Sequence, residues 1–238
     1  MNQLSKYAMQ AAVAMISVAV FFFLSWTVSL LVAPAKINML LGVDIAASIC
    51  FAVSGAYGSI KHRNCWWLFV SALLVGAGGG TIRNAFLMQK PVWATTAPAL
   101  IPLCILSGVA VFMLRLSVKD GKPDARVSFA VATLDTIAIA VTVALGSEAA
   151  KSLAGAGPHL LPSALYFSIL TSVGGGLIRD LLQMKLPSCF INGDFFASAA
   201  AACTVTVASG MLASMPFRVA VALVTILGAR AIFSRLKR

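Results

Sequence analysis

The sequence GGGTIRN at residues 78–84 occurs a second time as GGGLIRD at residues 174–180. Each copy lies inside a long apolar stretch. Consecutive glycines weaken a helix, and an arginine surrounded by hydrocarbon is unfavourable by several kcal/mol. Because the chain places both unfavourable features in one apolar segment, and does so twice, the repeat indicates a functional element.

The composition of the chain is that of a membrane protein. Of the 238 residues, 60% are hydrophobic and 11% are charged, whereas a soluble domain carries about 25% charged residues. The apolar runs are long enough to cross a bilayer as helices. We therefore predict an all-α integral membrane protein whose partner is the lipid bilayer. The net charge of +11 fits the basic loops of such proteins and does not indicate nucleic acid.

Residues that could carry metal or covalent chemistry are scattered along the chain. The five cysteines show no CxxC spacing, and the two histidines stand alone. Neither set has the spacing of metal ligands or of a nucleophile with its base. We therefore predict no enzyme activity, no metal site and no cofactor.

Polar, proline and glycine breaks divide the chain into eight candidate membrane helices. The first run spans residues 9–32. Its length favours the interpretation as an uncleaved helix, and a cleaved signal peptide is the alternative. The other runs are 39–58, 66–88, 95–115, 127–148, 160–184, 194–214 and 216–233. Each is close to the ~20 residues needed to span a bilayer.

The similarity of the two halves extends well beyond the glycines. In order, the shared markers are Asp44, Gly55, Arg83 and Pro91 in the first unit and Asp135, Gly146, Arg179 and Pro187 in the second. Each unit contains three helices, an odd number, so the second unit enters the membrane from the opposite side. This pattern predicts an inverted three-plus-three repeat with a functional path at the repeat interface.

These units define the expected organisation of the chain. The predicted segments are an N-terminal hydrophobic helix at 1–35, repeats at 36–118 and 127–215, a linker at 119–126, and a seventh helix with a basic tail at 216–238. One side of the membrane would carry eleven basic residues and the other four. The positive-inside rule then predicts a cytoplasmic C-terminus.

The glycine triplets suggest two interpretations. The residues concerned are Gly78, Gly79, Gly80, Gly174, Gly175 and Gly176. A break or kink would free backbone carbonyls as cation ligands beside a pore. Alternatively, the glycines only allow two helices to approach closely.

The charged residues within the apolar runs need partners. We predict one ion pair between Asp44 and Arg83 and a second between Asp135 and Arg179, with either a structural or a gating role. Asp180 follows the second arginine, but Asn84 follows the first. The predicted path is therefore electrostatically asymmetric.

The paired GGGxIR motifs resemble the trimeric intracellular cation channel family, whose bacterial members are also catalogued as glycine transporter domain proteins. The resemblance covers residues 40–233 and also rests on the segment FAVSGA at 51–56. It implies a homotrimer of seven-helix subunits in the cell inner membrane, each with its own pore for monovalent cations, mainly potassium. Segment 1–35 and Asn84 depart from the family pattern. A carrier for a small solute such as glycine and a membrane scaffold remain the alternatives.

Overall fold

The computed structural model describes residues 39–61, 64–117, 125–154, 157–208 and 214–236. Across these ranges the chain forms nine helices and no strands. The helices are α1 Met39–Gly58, α2 Trp66–Phe86, α3 Val92–Thr95, α4 Leu100–Ser117, α5 Ala125–Ala154, α6 Leu160–Leu182, α7 Ser188–Ile191, α8 Asp194–Ala208 and α9 Met215–Leu236. The predicted N-terminal helix and most of the predicted linker lie outside the described residues.

The long helices pack as two equivalent units. In the first unit α1, α2 and α4 contact one another, and in the second α5, α6 and α8 do the same. The units meet where α1 packs on α5 and α2 packs on α6, while α9 packs on α5 and α8. This arrangement confirms the predicted three-plus-three repeat with an added seventh helix.

Several of these helices have the dimensions of membrane spans. Within the described residues, α1, α5, α6 and α9 are long and apolar enough to cross a bilayer. Shorter apolar segments lie in α4 and α8.

Two predicted boundaries are wrong. Helix α4 begins at Leu100 rather than 95, because the short helix α3 and Pro98 come first. Helix α5 continues to Ala154 because alanine-rich residues follow the predicted end at 148.

Helices α2 and α6 run without interruption through their glycine triplets. The predicted helix break is therefore wrong. A Cβ atom at Gly79 would overlap the backbone carbonyl of Thr171, and one at Gly175 would lie 2.8 Å from the carbonyl oxygen of Leu74. The glycines thus let α2 and α6 cross in backbone contact, which is the close-packing alternative.

The same turn ends both helices of this crossing. Met88 and Met184 each have a φ of 53°, the left-handed conformation common just after a helix C-terminus. The following amides close the turn: Gln89 N–H donates to the Asn84 carbonyl at 2.8 Å, and Lys185 N–H to the Asp180 carbonyl at 2.9 Å. The short helices α3 and α7 then begin after a proline. Each turn holds the polar end of its motif beside the next element.

Candidate permeation path between the repeats

Arg83 has its carboxylate partner within its own repeat. Its Nη2 lies 3.0 Å from Oδ2 of Asp44, and its Nε donates to Oδ1 of Asn84 at 3.2 Å. Only 7% of the Arg83 surface is exposed. The amide Nδ2 of Asn84 donates in turn to the carbonyl of Lys90 at 3.3 Å. The structure therefore forms the first predicted ion pair and adds an amide that orients the arginine.

Arg179 is bound differently, and the predicted pair between Asp135 and Arg179 is wrong. The neighbouring Asp180 accepts from Nε of Arg179 at 2.7 Å and lies 2.6 Å from its Nη2. The other oxygen of Asp180 accepts from the Ser188 N–H at 2.7 Å, and the Ser188 hydroxyl accepts from Arg179 at 3.2 Å. Because a carboxylate stands next to Arg179, no aspartate from α5 is needed to balance its charge.

Asp135 instead pairs with an arginine outside the repeats. Oδ1 of Asp135 accepts from the Ser54 hydroxyl at 2.7 Å, and Oδ2 lies 3.5 Å from Nη2 of Arg230 on α9. Arg230 also lies 2.7 Å from Oδ1 of Asp194 and donates to the hydroxyl of Thr136. The sequence analysis did not single out Arg230 as a site residue. The signal for an ion-pair role was its position inside the apolar run 216–233.

A second arginine of α9 pairs at the opposite end of α5. Arg218 forms an ion pair with Glu148. Helix α9 thus brings a buried guanidinium to a carboxylate of α5. Helix α9 is therefore held to α5 by one ion pair near each of its ends.

One cavity opens around Arg83 and has a volume of about 530 Å³. We call it the Arg83 cavity. It lies between the start of α1 and the end of α5, so both repeats contribute to its wall. Its lining includes Leu41, Asp44, Arg83, Asn84, Leu145, Glu148, Ala149 and Ser152.

A second cavity, of about 320 Å³, opens around Arg179. This Arg179 cavity lies between the end of α1 and the start of α5, at the opposite end of the helix pair. Its lining includes Phe51, Ser54, Tyr57, Val75, Asp135, Ile139, Arg179 and Asp194. A further cavity of about 420 Å³ adjoins it at Asp135 and Asp194 and reaches Arg230.

The two cavities share no lining residue. On α5 the Arg179 cavity reaches Ile139 and the Arg83 cavity begins at Leu145, a separation of about 9 Å along the helix. Between them Ala140, Val143 and Ala144 are fully buried, and Thr142 is buried with its hydroxyl donating to a backbone carbonyl of its own helix. A short, close-packed layer, apolar apart from Thr142, therefore separates two cavities that carry charged side chains and enter from opposite ends of the repeat interface.

The charges that line each cavity leave a negative balance. Asp44 and Glu148 face Arg83 in the first cavity, which gives a formal charge of −2 + 1 = −1. The Arg179 cavity likewise has two carboxylates, from Asp135 and Asp194, against one guanidinium. In the Arg83 cavity, the ion-pair partner Arg218 brings the total charge to 0. In the Arg179 cavity, the ion-pair partners Asp180 and Arg230 leave the total charge at −1. The Arg179 end is therefore the more acidic. Among the described residues, no group of three metal-ligating side chains is placed to hold a metal ion.

Solved structures of cation channels share this fold. A TRIC cation channel superposes with a TM-score of 0.66 at 22% identity, over 84% of this chain and 95% of the channel. The trimeric intracellular cation channel orthologue from Rhodobacter sphaeroides gives a TM-score of 0.64 at 22% identity, over 81% of this chain and 95% of that one. The protein is thus an all-helical integral membrane protein with the TRIC channel fold.

Sequence comparison identifies the family. The sequence model of the glycine transporter family matches residues 41–115 and 132–212. The inner membrane protein YadS of Escherichia coli is 30% identical over 169 residues, which cover 66% of this chain and 77% of that protein. A membrane protein of Vibrio cholerae is 29% identical over 177 residues, with coverage of 69% and 70%. The chain therefore belongs to the glycine transporter family, and these relatives are membrane proteins.

Proposed function

We propose that this protein is a channel for monovalent cations, with potassium as the main permeant ion and one path in each subunit. The observation that carries the proposal is the pair of cavities, each lined in part by charged side chains, that enter the repeat interface from opposite ends. Only about 9 Å of helix length separates them. Inverted repeats commonly place a permeation path at this interface. The fold shared with TRIC cation channels supports the same function.

The charge pattern supports cation rather than anion passage. Both motif arginines are neutralised by a carboxylate, so neither presents a free positive charge to a permeating ion. With all ion-pair partners counted, the Arg83 cavity is neutral and the Arg179 cavity keeps a charge of −1, which raises the local cation concentration at that end. The glycine residues contribute by bringing α2 and α6 together beside the path, without a break in either helix.

We place the channel in the cell inner membrane as a homotrimer with a cytoplasmic C-terminus. A relative described as an inner membrane protein supports the location, and a structural neighbour described as a trimeric channel supports the assembly. The excess of basic residues on the side of the Arg179 cavity supports the orientation.

The function is tested by recording potassium currents from the purified protein in planar bilayers. Val75 lines the Arg179 cavity and is buried where α1, α2 and α6 meet. Val75→Thr adds a hydroxyl at nearly constant volume, so hydration of the apolar layer becomes easier and the open probability rises. Val224→Thr is the matched control, because Val224 is 71% exposed on α9. A folded protein that conducts no potassium would contradict the proposal.

A carrier for a small solute such as glycine is the second candidate. The observation that favours it is the packed layer between the cavities, because a carrier also keeps its two access routes separate. In vesicles, a carrier would give saturable uptake and counterflow of labelled glycine without unitary currents. Unitary potassium currents without glycine uptake would instead favour the channel.

A further inference from the structure

Arg230 extends from α9, which belongs to neither repeat, into the carboxylates of the second repeat. Its Nε donates to Oδ1 of Asp194 at 2.8 Å, and its Nη2 lies 3.5 Å from Oδ2 of Asp135. The Thr136 hydroxyl accepts from Arg230, and the Ser54 hydroxyl donates to the other oxygen of Asp135. The guanidinium therefore lies where oxygen atoms of α5 and α8 meet.

This point is accessible to ions. The side chains of Arg230 and Asp135 are 24% and 25% exposed, and both line the 420 Å³ cavity that adjoins the Arg179 cavity. The two cavities share Asp135 and Asp194. A cation in the Arg179 cavity therefore reaches the same oxygen atoms that Arg230 holds, and the two positive charges compete for them.

Within the described residues, the aspartate of the first repeat pairs differently. Asp44 pairs with Arg83 of its own repeat, on a helix that packs deeply in the interface. Arg230 instead lies on α9, whose outer face is apolar and exposed at Phe217, Val224 and Ile232. Arg218 and Arg230 hold this helix to α5. The packing position of α9 therefore determines the charge of the Arg179 cavity.

We infer that Arg230 is a specificity-determining residue that keeps divalent cations out of the Arg179 cavity. With Arg230, three carboxylates from Asp135, Asp180 and Asp194 face two guanidiniums, and the charge is −3 + 2 = −1. Without it the charge is −2, and carboxylate and hydroxyl oxygens are the ligands that hard divalent cations prefer. This inference rests on the proposed cation channel and adds the residue that restricts it to monovalent ions.

The test compares Arg230→Gln with Arg230→Lys in bilayers that carry potassium current, with Mn²⁺ added to one compartment at a time. Arg230→Gln is expected to be blocked by Mn²⁺ from the Arg179 side at concentrations at least about tenfold below those that affect the wild type. Arg230→Lys retains the charge and should behave as the wild type. Equal Mn²⁺ sensitivity of Arg230→Gln and wild type would overturn the inference while the potassium currents upheld the channel.

Two further measurements separate charge from loss of structure. The double variant Asp194→Asn/Arg230→Gln restores the charge of −1, so its Mn²⁺ sensitivity should return to the wild-type level. A double variant as sensitive as Arg230→Gln would show that a loosened α9, not charge, is the cause, and would overturn the inference. Thermal stabilisation of detergent-purified Arg230→Gln by Mn²⁺ needs no current. If the wild type conducted no potassium in bilayers, the proposed function would fail. Stabilisation of Arg230→Gln by Mn²⁺ would then still support the inference, and its absence would overturn it.

Discussion

The two repeats share one backbone plan but hold their motif arginines in different ways. In the first repeat an amide, Asn84, orients Arg83 and donates to a carbonyl, while the balancing carboxylate comes from α1. In the second repeat Asp180 both orients and neutralises Arg179 and accepts from a backbone N–H. Where the first repeat has the amide of Asn84, the second has the carboxylate of Asp180. Arg179 is thus neutralised by its neighbour, and Asp135 pairs with Arg230 of α9 instead.

A second difference lies where the end of each crossing helix meets the other repeat. Gln183 donates to the Ser59 hydroxyl at 2.8 Å and to that of Ser71 at 3.2 Å, and these buried hydroxyls bond to each other at 2.6 Å. The corresponding contact at the other end is apolar and includes Leu87, Ala150 and Phe167. The contacts of Gln183 form a polar closure at one end of the inverted repeat, and those of Leu87 form an apolar closure at the other. We therefore expect the two ends to open locally at different rates.

The largest expected effect concerns the helix crossing that both repeats share. Gly79→Ala places a methyl group against the Thr171 backbone, and Gly175→Ala places one against that of Leu74. Overpacking against backbone lowers the free energy of unfolding by about 2 kcal/mol or more. Gly176→Ala is the matched control, because nothing lies within 4 Å of its added methyl, and a helical Gly→Ala change is otherwise favourable. Unfolding in mixed detergent micelles measures all three.

If the triplets acted as flexible kinks rather than as packing surfaces, all three alanine variants would have similar effects. Equal stability of Gly79→Ala and Gly176→Ala would therefore contradict close packing as the role of Gly79.

The next largest effect is a difference in stability between variants of Asp44 and Asp135. Asp44→Asn leaves the buried Arg83 without a carboxylate, which is expected to cost about 3 kcal/mol of unfolding free energy. Asp135→Asn costs only about 1 kcal/mol, because Arg230 retains Asp194. Both are measured by the same detergent unfolding. The double variant Asp44→Asn/Arg83→Gln should recover part of the loss, and equal costs for the two single variants would contradict the different pairing of the repeats.

The smallest effect concerns the two closures. Gln183→Leu removes the amide from the Ser59 and Ser71 hydroxyls, which still bond to each other, so the expected cost is about 1 kcal/mol. Leu87→Gln instead places an amide against Ala150 and Phe167, at a cost of about 2 kcal/mol. Site-resolved hydrogen exchange should show faster opening at the altered end only. Faster exchange at both ends in either variant would show that the closures do not act independently.

Much of the fold could be predicted from the sequence because its signals are local or repeated. Apolar run length located the spans, and the matched spacing of Asp44 and Asp135 from their glycines revealed the inverted units. The partner of Asp135 could not be predicted, because α9 lies outside the repeat and only packing brings Arg230 to it. The glycine triplets were open to two interpretations, since local propensity favours a break while interhelical contact favours a continuous helix.

The central claim is that one path enters the repeat interface from opposite faces, through the Arg179 cavity and the Arg83 cavity. Ser54→Cys and Ala149→Cys place thiols in these two cavities. The measurement is block of potassium current by a charged thiol reagent, in a background without the native cysteines. We predict that Ser54→Cys is blocked only from the face that carries Lys61 and that Ala149→Cys is blocked only from the opposite face. Block of both variants from the same face, or of neither from any face, would contradict the claim.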